Sequence, residues 1–92
     1  MAPSSDVQAA VKNACDLLGG IVKSITNRIN SEQLRLTALT EQLRTLEGQP
    51  NPDSDQIAQI KQLMTTLRGQ VDQDEADLAS SRADFDSFCV TK

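Results

Sequence analysis

The residues best suited to chemistry are two cysteines, Cys15 and Cys89, in a sequence without histidine. A catalytic cysteine needs a nearby base, and a structural zinc ion needs four cysteine or histidine ligands. Neither set is present, so we expect no catalytic residue, no metal and no other cofactor. Two alternatives remain: the cysteines form a disulfide, or both stay free and pack as small apolar residues.

A run of carboxylates in the second half of the chain is the next candidate. Its acidic face consists of Asp72, Glu75, Asp77, Asp84 and Asp86. The segment does not fit an EF-hand calcium loop, because it lacks the central glycine and the final glutamate. A nucleic-acid mimic is an alternative without further support. We expect a solvated helix face that lies alongside the basic residues Lys12, Lys23 and Arg28.

Glu32 and Asp74 are two further carboxylates, which interrupt otherwise apolar helical patterns. Paired carboxylates can perform acid–base catalysis. Two helices cannot enclose a pocket around them, however, so we expect hydrated side chains in a loosened section of the molecule. Asp74 is then expected to pair with Arg28.

The composition narrows the function further. The 92-residue chain has a formal net charge of -4, whereas binding to nucleic acid or anionic membranes needs a basic surface. No apolar run is long enough to span a bilayer. Aromatic residues are nearly absent, which favours elongated helices with a thin apolar seam. We therefore expect a non-enzymatic protein with no nucleic-acid partner and no membrane span.

The first helix is predicted over about residues 5–47, with Ser5 and Gln8 as a capping box. Its apolar residues follow a heptad pattern from Val7 to Ile25 and again from Ile29 onward. The extra step of four between Ile25 and Ile29 predicts a stutter, which unwinds a coiled coil locally. An alternative is a break at residues 30–31, where a new helix would begin.

A turn is predicted at residues 48–52, since Pro50 cannot continue the first helix and Gly48 suits a helix C′ position. Asn51 is the predicted N-cap of a second helix over about residues 52–89, with Pro52 at its first position. The second heptad seam consists of Ile57, Ile60, Met64, Leu67, Val71, Asp74, Leu78, Ser81, Phe85 and Phe88.

Two long helices joined by a short turn fold back as an antiparallel hairpin. The turn places Leu46 opposite Ile57, so the numbers of facing residues add up to about 103. This register, set without the cysteines, brings Cys15 beside Cys89. We therefore predict one all-α domain, an antiparallel two-helix coiled coil closed by a disulfide. Disulfides persist in oxidising compartments, which favours a secreted or extracytoplasmic location over the cytoplasm.

Gly19 and Gly20 lie opposite Phe85 in the same register. One interpretation is that the missing side chains make room for the aromatic ring. The other is a weak point in the helix, because glycine is unfavourable in a helix interior.

The N-terminal half of the first helix has a wider apolar stripe than one neighbouring helix needs. Ala10, Leu17 and Val22 are predicted to flank the seam and to contact a protein partner. The simplest partner is a second copy, which would complete a four-helix bundle.

Two functions follow from these features. The first is a secreted or extracytoplasmic interaction protein, either an effector or a structural component, that presents helix faces to a protein partner. The second is an intracellular adaptor, or a small inhibitor of phage or pathogen origin, that acts through the acidic face. The sequence identifies no partner for either function.

Overall fold

The computed structural model describes residues 5–89, without the side chain of residue 5, and this part of the chain is an antiparallel hairpin of two helices. Helix α1 comprises Ser5–Glu47 and helix α2 comprises Ser54–Cys89. No strand occurs within these residues. The all-α hairpin predicted from the heptad patterns is confirmed, and α1 is continuous through residues 30–31. The capping role predicted for Ser5 rests on a side chain outside the described part.

The hairpin is a thin rod. Its principal extents are 78 × 19 × 15 Å, and its radius of gyration is 21.0 Å. A globule of this chain length would have a radius of gyration of about 12 Å. The elongated shape follows from two helices that pack only on each other.

The connection between the helices differs from the prediction in its capping residue. Asp53, and not Asn51, caps α2: its Oδ1 accepts hydrogen bonds from the backbone N–H groups of Asp55 (3.0 Å) and Gln56 (3.2 Å). The prediction of Asn51 as N-cap was wrong because the first intrahelical bond runs from Ile57 N–H to the Asp53 carbonyl. A carboxylate is well suited to this place, since it also faces the positive end of the helix dipole.

Gly48 ends α1 without the left-handed conformation that commonly favours glycine there. Its N–H still donates to the Arg44 carbonyl (3.1 Å), and Gln49 N–H donates to the Leu46 carbonyl (3.2 Å). No residue in the described part of the chain has a positive φ. The helix therefore ends at Glu47, three residues ahead of Pro50, which has no N–H to continue it, and without a change of backbone handedness at Gly48.

The seam of α1 is an uninterrupted heptad, so the predicted stutter is absent. Val22 is half-buried, whereas Ile21, which the prediction placed in the seam, is 39% exposed. Burial alternates in steps of three and four along Cys15, Leu18, Val22, Ile25, Ile29, Glu32, Leu36, Leu39, Leu43 and Leu46. The prediction followed the most apolar residues, but the opposite helix selects one fixed line along α1.

The seam of α2 matches the prediction from Ile57 to Phe85. Phe88 is the exception: it is 45% exposed, and the neighbouring Cys89 turns toward α1 instead. Within residues 6–89, the buried apolar residues are Ile25, Ile29, Met64 and Val71, and each keeps a small exposed fraction. This core is small, as expected when each helix has one neighbour, so cross-links and polar contacts matter more for stability.

Candidate functional site: a buried carboxyl pair and two exposed faces

A disulfide between Cys15 and Cys89 closes the end of the hairpin opposite the turn. Their Cα atoms are 5.5 Å apart, and 74 positions separate them in the sequence. Both cysteines are half-buried, and the described residues contain no free cysteine. The pairing derived from the turn register is therefore confirmed, and both ends of the hairpin are closed.

Gly19 gives space to the ring of Phe85, next to the disulfide. A Cβ atom built on Gly19 would lie 3.4 Å from Phe85 Cε2, whereas one on Gly20 would meet nothing within 4 Å. The first interpretation of the glycine pair thus holds for Gly19, and Gly20 makes no such contact. A cavity of about 340 Å³ adjoins the ring and is lined by Gly19, Val22, Arg82, Phe85 and Asp86.

Arg28 and Asp74 form an ion pair across the middle of the hairpin. Arg28 Nη2 lies 3.1 Å from Asp74 Oδ1, and Arg28 Nε donates to Asp74 Oδ2 at 3.2 Å. The predicted pairing is confirmed. A hydrogen bond with Glu32, followed by the one with Arg28, holds the pKa of Asp74 below its usual value. The same contact with Asp74 raises the pKa of Arg28.

Glu32 is the second carboxyl group of this layer, and it is only 6% exposed. The expectation that Glu32 and Asp74 stay hydrated was wrong: Asp74 is only 8% exposed. Both occupy seam positions, which face the other helix whatever their polarity. Glu32 Oε1 is buried and has no hydrogen-bond partner among the described residues.

The environment of Glu32 favours its protonated form. Its hydrogen bond to Asp74 contributes most to raising the pKa of Glu32, followed by burial and by the negative charge of Asp74. Arg28 and Arg35 act in the opposite direction. Glu32 is therefore the member of the pair that holds a proton more readily, and Arg28 binds the carboxylate of Asp74. A groove of about 520 Å³ passes this layer, lined by Arg28, Glu32, Thr66, Gly69, Gln70, Gln73 and Asp74.

This layer is not a metal centre, because the described residues contain no group of three side chains that could hold a metal ion. What the arrangement can do is store and release a proton. Sequence reasoning found both residues as interruptions of the seam but missed their contact. The available signal was that the register places Asp74 opposite Ile29, within one helical turn of both Arg28 and Glu32.

The acidic face is solvent-exposed at all five predicted positions. Neither of the two ion pairs found within the described residues, Arg28–Asp74 and Lys61–Glu47, involves this face. Asp77 accepts one long hydrogen bond, 3.5 Å, from the Gln73 side chain. The predicted alignment with basic residues of α1 thus produces direct contact only between Arg28 and Asp74, which lies outside the face.

An exposed apolar stripe follows the N-terminal half of α1. Leu17 is 66% exposed and Ile21 39% exposed, while Ala10 is exposed and Ala14 half-buried. These four residues are spaced by four, three and four, so they share one side of the helix. We refer to Ala10, Ala14, Leu17 and Ile21 as the apolar stripe.

Val22 does not belong to this stripe. It lines the cavity beside Phe85 and is half-buried in the hairpin seam, so it contributes to packing between α1 and α2. Of the three residues predicted to contact a partner, only Ala10 and Leu17 therefore lie on freely accessible surface.

Within the described residues, neither helix is long and apolar enough to cross a membrane. In comparisons with protein-family models, curated proteins and solved structures, nothing matched this chain.

Proposed function

We propose that the protein is a non-enzymatic interaction protein of an oxidising, extracytoplasmic compartment, where it acts as an effector or structural component. In this proposal the rigid hairpin presents the apolar stripe of α1 to a protein partner. The observation that carries it is the exposure of Leu17, a large apolar side chain in line with three other apolar residues. Contiguous exposed apolar residues of this kind usually mark interaction sites.

The position of the stripe supports a role in docking. It lies beside the disulfide, where the two helices are covalently held and the surface is pre-organised. A rigid surface loses less conformational entropy on binding than a flexible one. The absence of histidine and the thin two-helix core support a non-catalytic role.

A second copy of the chain is the simplest partner, and sedimentation equilibrium tests for it. We expect the wild type to dimerise at high micromolar concentration and Leu17→Asp to remain monomeric. Leu34→Asp is the matched control, because Leu34 is also a highly exposed leucine of α1 (72%) but lies outside the stripe. This control should dimerise like the wild type. A monomeric wild type contradicts the dimer.

Binding of the apolar stripe to a different protein, and not to a second copy of the chain, needs a separate test. A photo-crosslinking amino acid at position 17, introduced in the native host, should give a defined protein adduct. The same amino acid at position 34 should not. Equal crosslinking at both positions, or none at position 17, contradicts docking through the stripe.

The location is tested by the thiol state in the host. Cells quenched with acid and treated with an alkylating reagent should contain protein in which neither Cys15 nor Cys89 is modified. Complete alkylation of both cysteines would indicate a reducing compartment and favour the cytoplasmic alternative.

The acidic face supports a second candidate function, an intracellular adaptor or inhibitor that occupies a basic site. Its five carboxylates are exposed, and within the described residues they form no ion pair, so their charge is available to a partner. Binding through this face should weaken steeply with added salt and with Asp84→Asn/Asp86→Asn. Binding that depends on Leu17 and not on salt would favour the first candidate.

A further inference from the structure

Of the two buried ionisable residues within residues 6–89, Glu32 and Asp74, Glu32 is the one with a carboxyl oxygen that lacks a hydrogen-bond partner. It is 6% exposed, and its Oε1 is buried without a hydrogen-bond partner among the described residues. An ionised carboxylate in such a place lacks both water and a donor, which is strongly unfavourable. A protonated carboxyl group can instead donate its hydrogen to the neighbouring Asp74.

The ion pair in contact with Glu32 is balanced when Glu32 is protonated. On α1, Arg28 is bound to both oxygens of Asp74, and Arg35 is the other cation that acts on Glu32. On α2, Asp74 faces Glu32, and Asp77 acts on Arg28. With Glu32 neutral, Arg28 and Asp74 form a balanced pair. When Glu32 releases its proton to solvent, two adjacent carboxylates share the one guanidinium that is bound between the helices.

The hairpin is closed on both sides of this layer. The turn at residues 48–53 joins the helices on one side, and the Cys15–Cys89 disulfide joins them on the other. Repulsion between the carboxylates of Glu32 and Asp74 therefore cannot separate the helices completely. It can only part them locally, and the apolar neighbours of the layer, Ile29 and Val71, would gain water.

We propose that Glu32 and Asp74 form a proton-dependent latch, which packs the middle of the hairpin tightly when Glu32 is protonated and opens it locally when Glu32 ionises. The protein would thus present a closed hairpin in acidic surroundings and a hydrated, more mobile central section at higher pH. A partner that needs access to the seam beside Ile29 would bind preferentially in the open state.

The direction in which stability changes with pH follows from the direction in which the pKa of Glu32 is shifted. Because contact with Asp74 raises the pKa of Glu32 above 4.5, its usual value, the folded state holds this proton more tightly than the unfolded state. The stability from the protonated pair is complete below 4.5 and is lost as the pH rises through the folded pKa of Glu32. Opening therefore increases with pH.

Amide hydrogen exchange resolved along the chain tests the latch. After correction for the intrinsic pH dependence of exchange, protection at residues 28–36 and 70–78 should fall several-fold between about pH 4 and about pH 8. Residues 39–46 and 57–64, near the turn, serve as the internal reference and should change less. Uniform protection ratios across this range would overturn the proposal.

The matched variant is Glu32→Gln, which keeps the size of the side chain and replaces the titrating O–H donor with an N–H donor. Its central protection should stay high at all pH values. A variant that opens with pH as the wild type does would contradict the role of Glu32. A second readout does not depend on this variant: in the wild type, ¹³C NMR of the Glu32 carboxyl carbon should show titration above 4.5. Titration at or below that value would overturn the latch.

Discussion

The guanidinium of Arg28 contacts both carboxylate oxygens of Asp74 across the hairpin, at 3.1 and 3.2 Å. Asp74 occupies a seam position, where a coiled coil normally has an apolar residue. The ion pair therefore compensates a buried charge in the middle of a small apolar core. Its geometry is bidentate, which a lysine at position 28 cannot reproduce.

Removing Arg28 alone should destabilise the hairpin, because Asp74 would remain buried without its cation. We expect Arg28→Leu to lower the urea midpoint clearly, with Arg28→Lys intermediate. In contrast, the double variant Arg28→Leu/Asp74→Leu should be more stable than Arg28→Leu alone, since it leaves no Asp74 carboxylate buried without its cation and leucine suits seam position 74. A double-mutant cycle by urea denaturation measures the coupling. Additive effects of the two substitutions would contradict this account.

Loss of the disulfide should lower the thermal stability strongly. The loop between Cys15 and Cys89 spans 74 positions, for which the chain-entropy model gives about 4 kcal/mol. For a domain of this size, that corresponds to a fall in Tm of about 15–30 °C. Circular dichroism with and without reductant measures it. The variant Cys15→Ala/Cys89→Ala is the control, since reductant should not change its Tm.

The three glycines within the helices should respond differently to alanine. A Cβ atom added at Gly20 or Gly69 would have no neighbouring atom within 4 Å, so Gly20→Ala and Gly69→Ala should each stabilise by about 1 kcal/mol through helix propensity. Gly19→Ala should gain less, because its Cβ would meet Phe85 Cε2 at 3.4 Å, the near limit of ordinary van der Waals contact, and would restrict the ring. Urea denaturation compares them, and an equal gain at Gly19 would contradict the close ring contact.

Acid should weaken the wild type through Asp74. Contacts with Glu32 and Arg28 hold the pKa of Asp74 below 3.8, its usual value. Its contribution is therefore present above 3.8 and lost as the pH falls through the folded pKa. Asp74→Asn should lack this loss, so its stability difference from the wild type should shrink between about pH 5 and about pH 2. Asp72→Asn, at an exposed position, is the control and should follow the wild type. A constant difference for Asp74→Asn would contradict the prediction.

Much of this fold is determined by short segments of the sequence. The turn at residues 48–53 and the two heptad patterns are properties of short segments, and together they imply an antiparallel pairing. Once the turn sets the register, the position of every layer follows, including that of Cys15 and Cys89. The disulfide was predictable for this reason and not because cysteines attract each other over a distance.

The errors have a common physical origin. Ile21 is more apolar than its neighbour Val22, so hydrophobicity alone assigned it to the seam and produced an apparent stutter. The structure instead buries Val22, because α2 lies along one line of α1 and Ile21 falls outside it. Asn51 and Asp53 are both good capping residues, and only the backbone path selects the one that reaches the free N–H groups.

The two helices, their direction, the disulfide and the residues that interrupt the seam could all be derived from the order of the amino acids. Whether the polar residues that interrupt the seam are buried, and what they contact, depends on how the helices pack. Glu32 and Asp74 are buried and in contact because both point at the opposite helix, and their shifted pKa values arise from that contact. Periodicity tells which side of a helix a residue occupies, but the electrostatics of a carboxyl group depends on atoms contributed by the other helix.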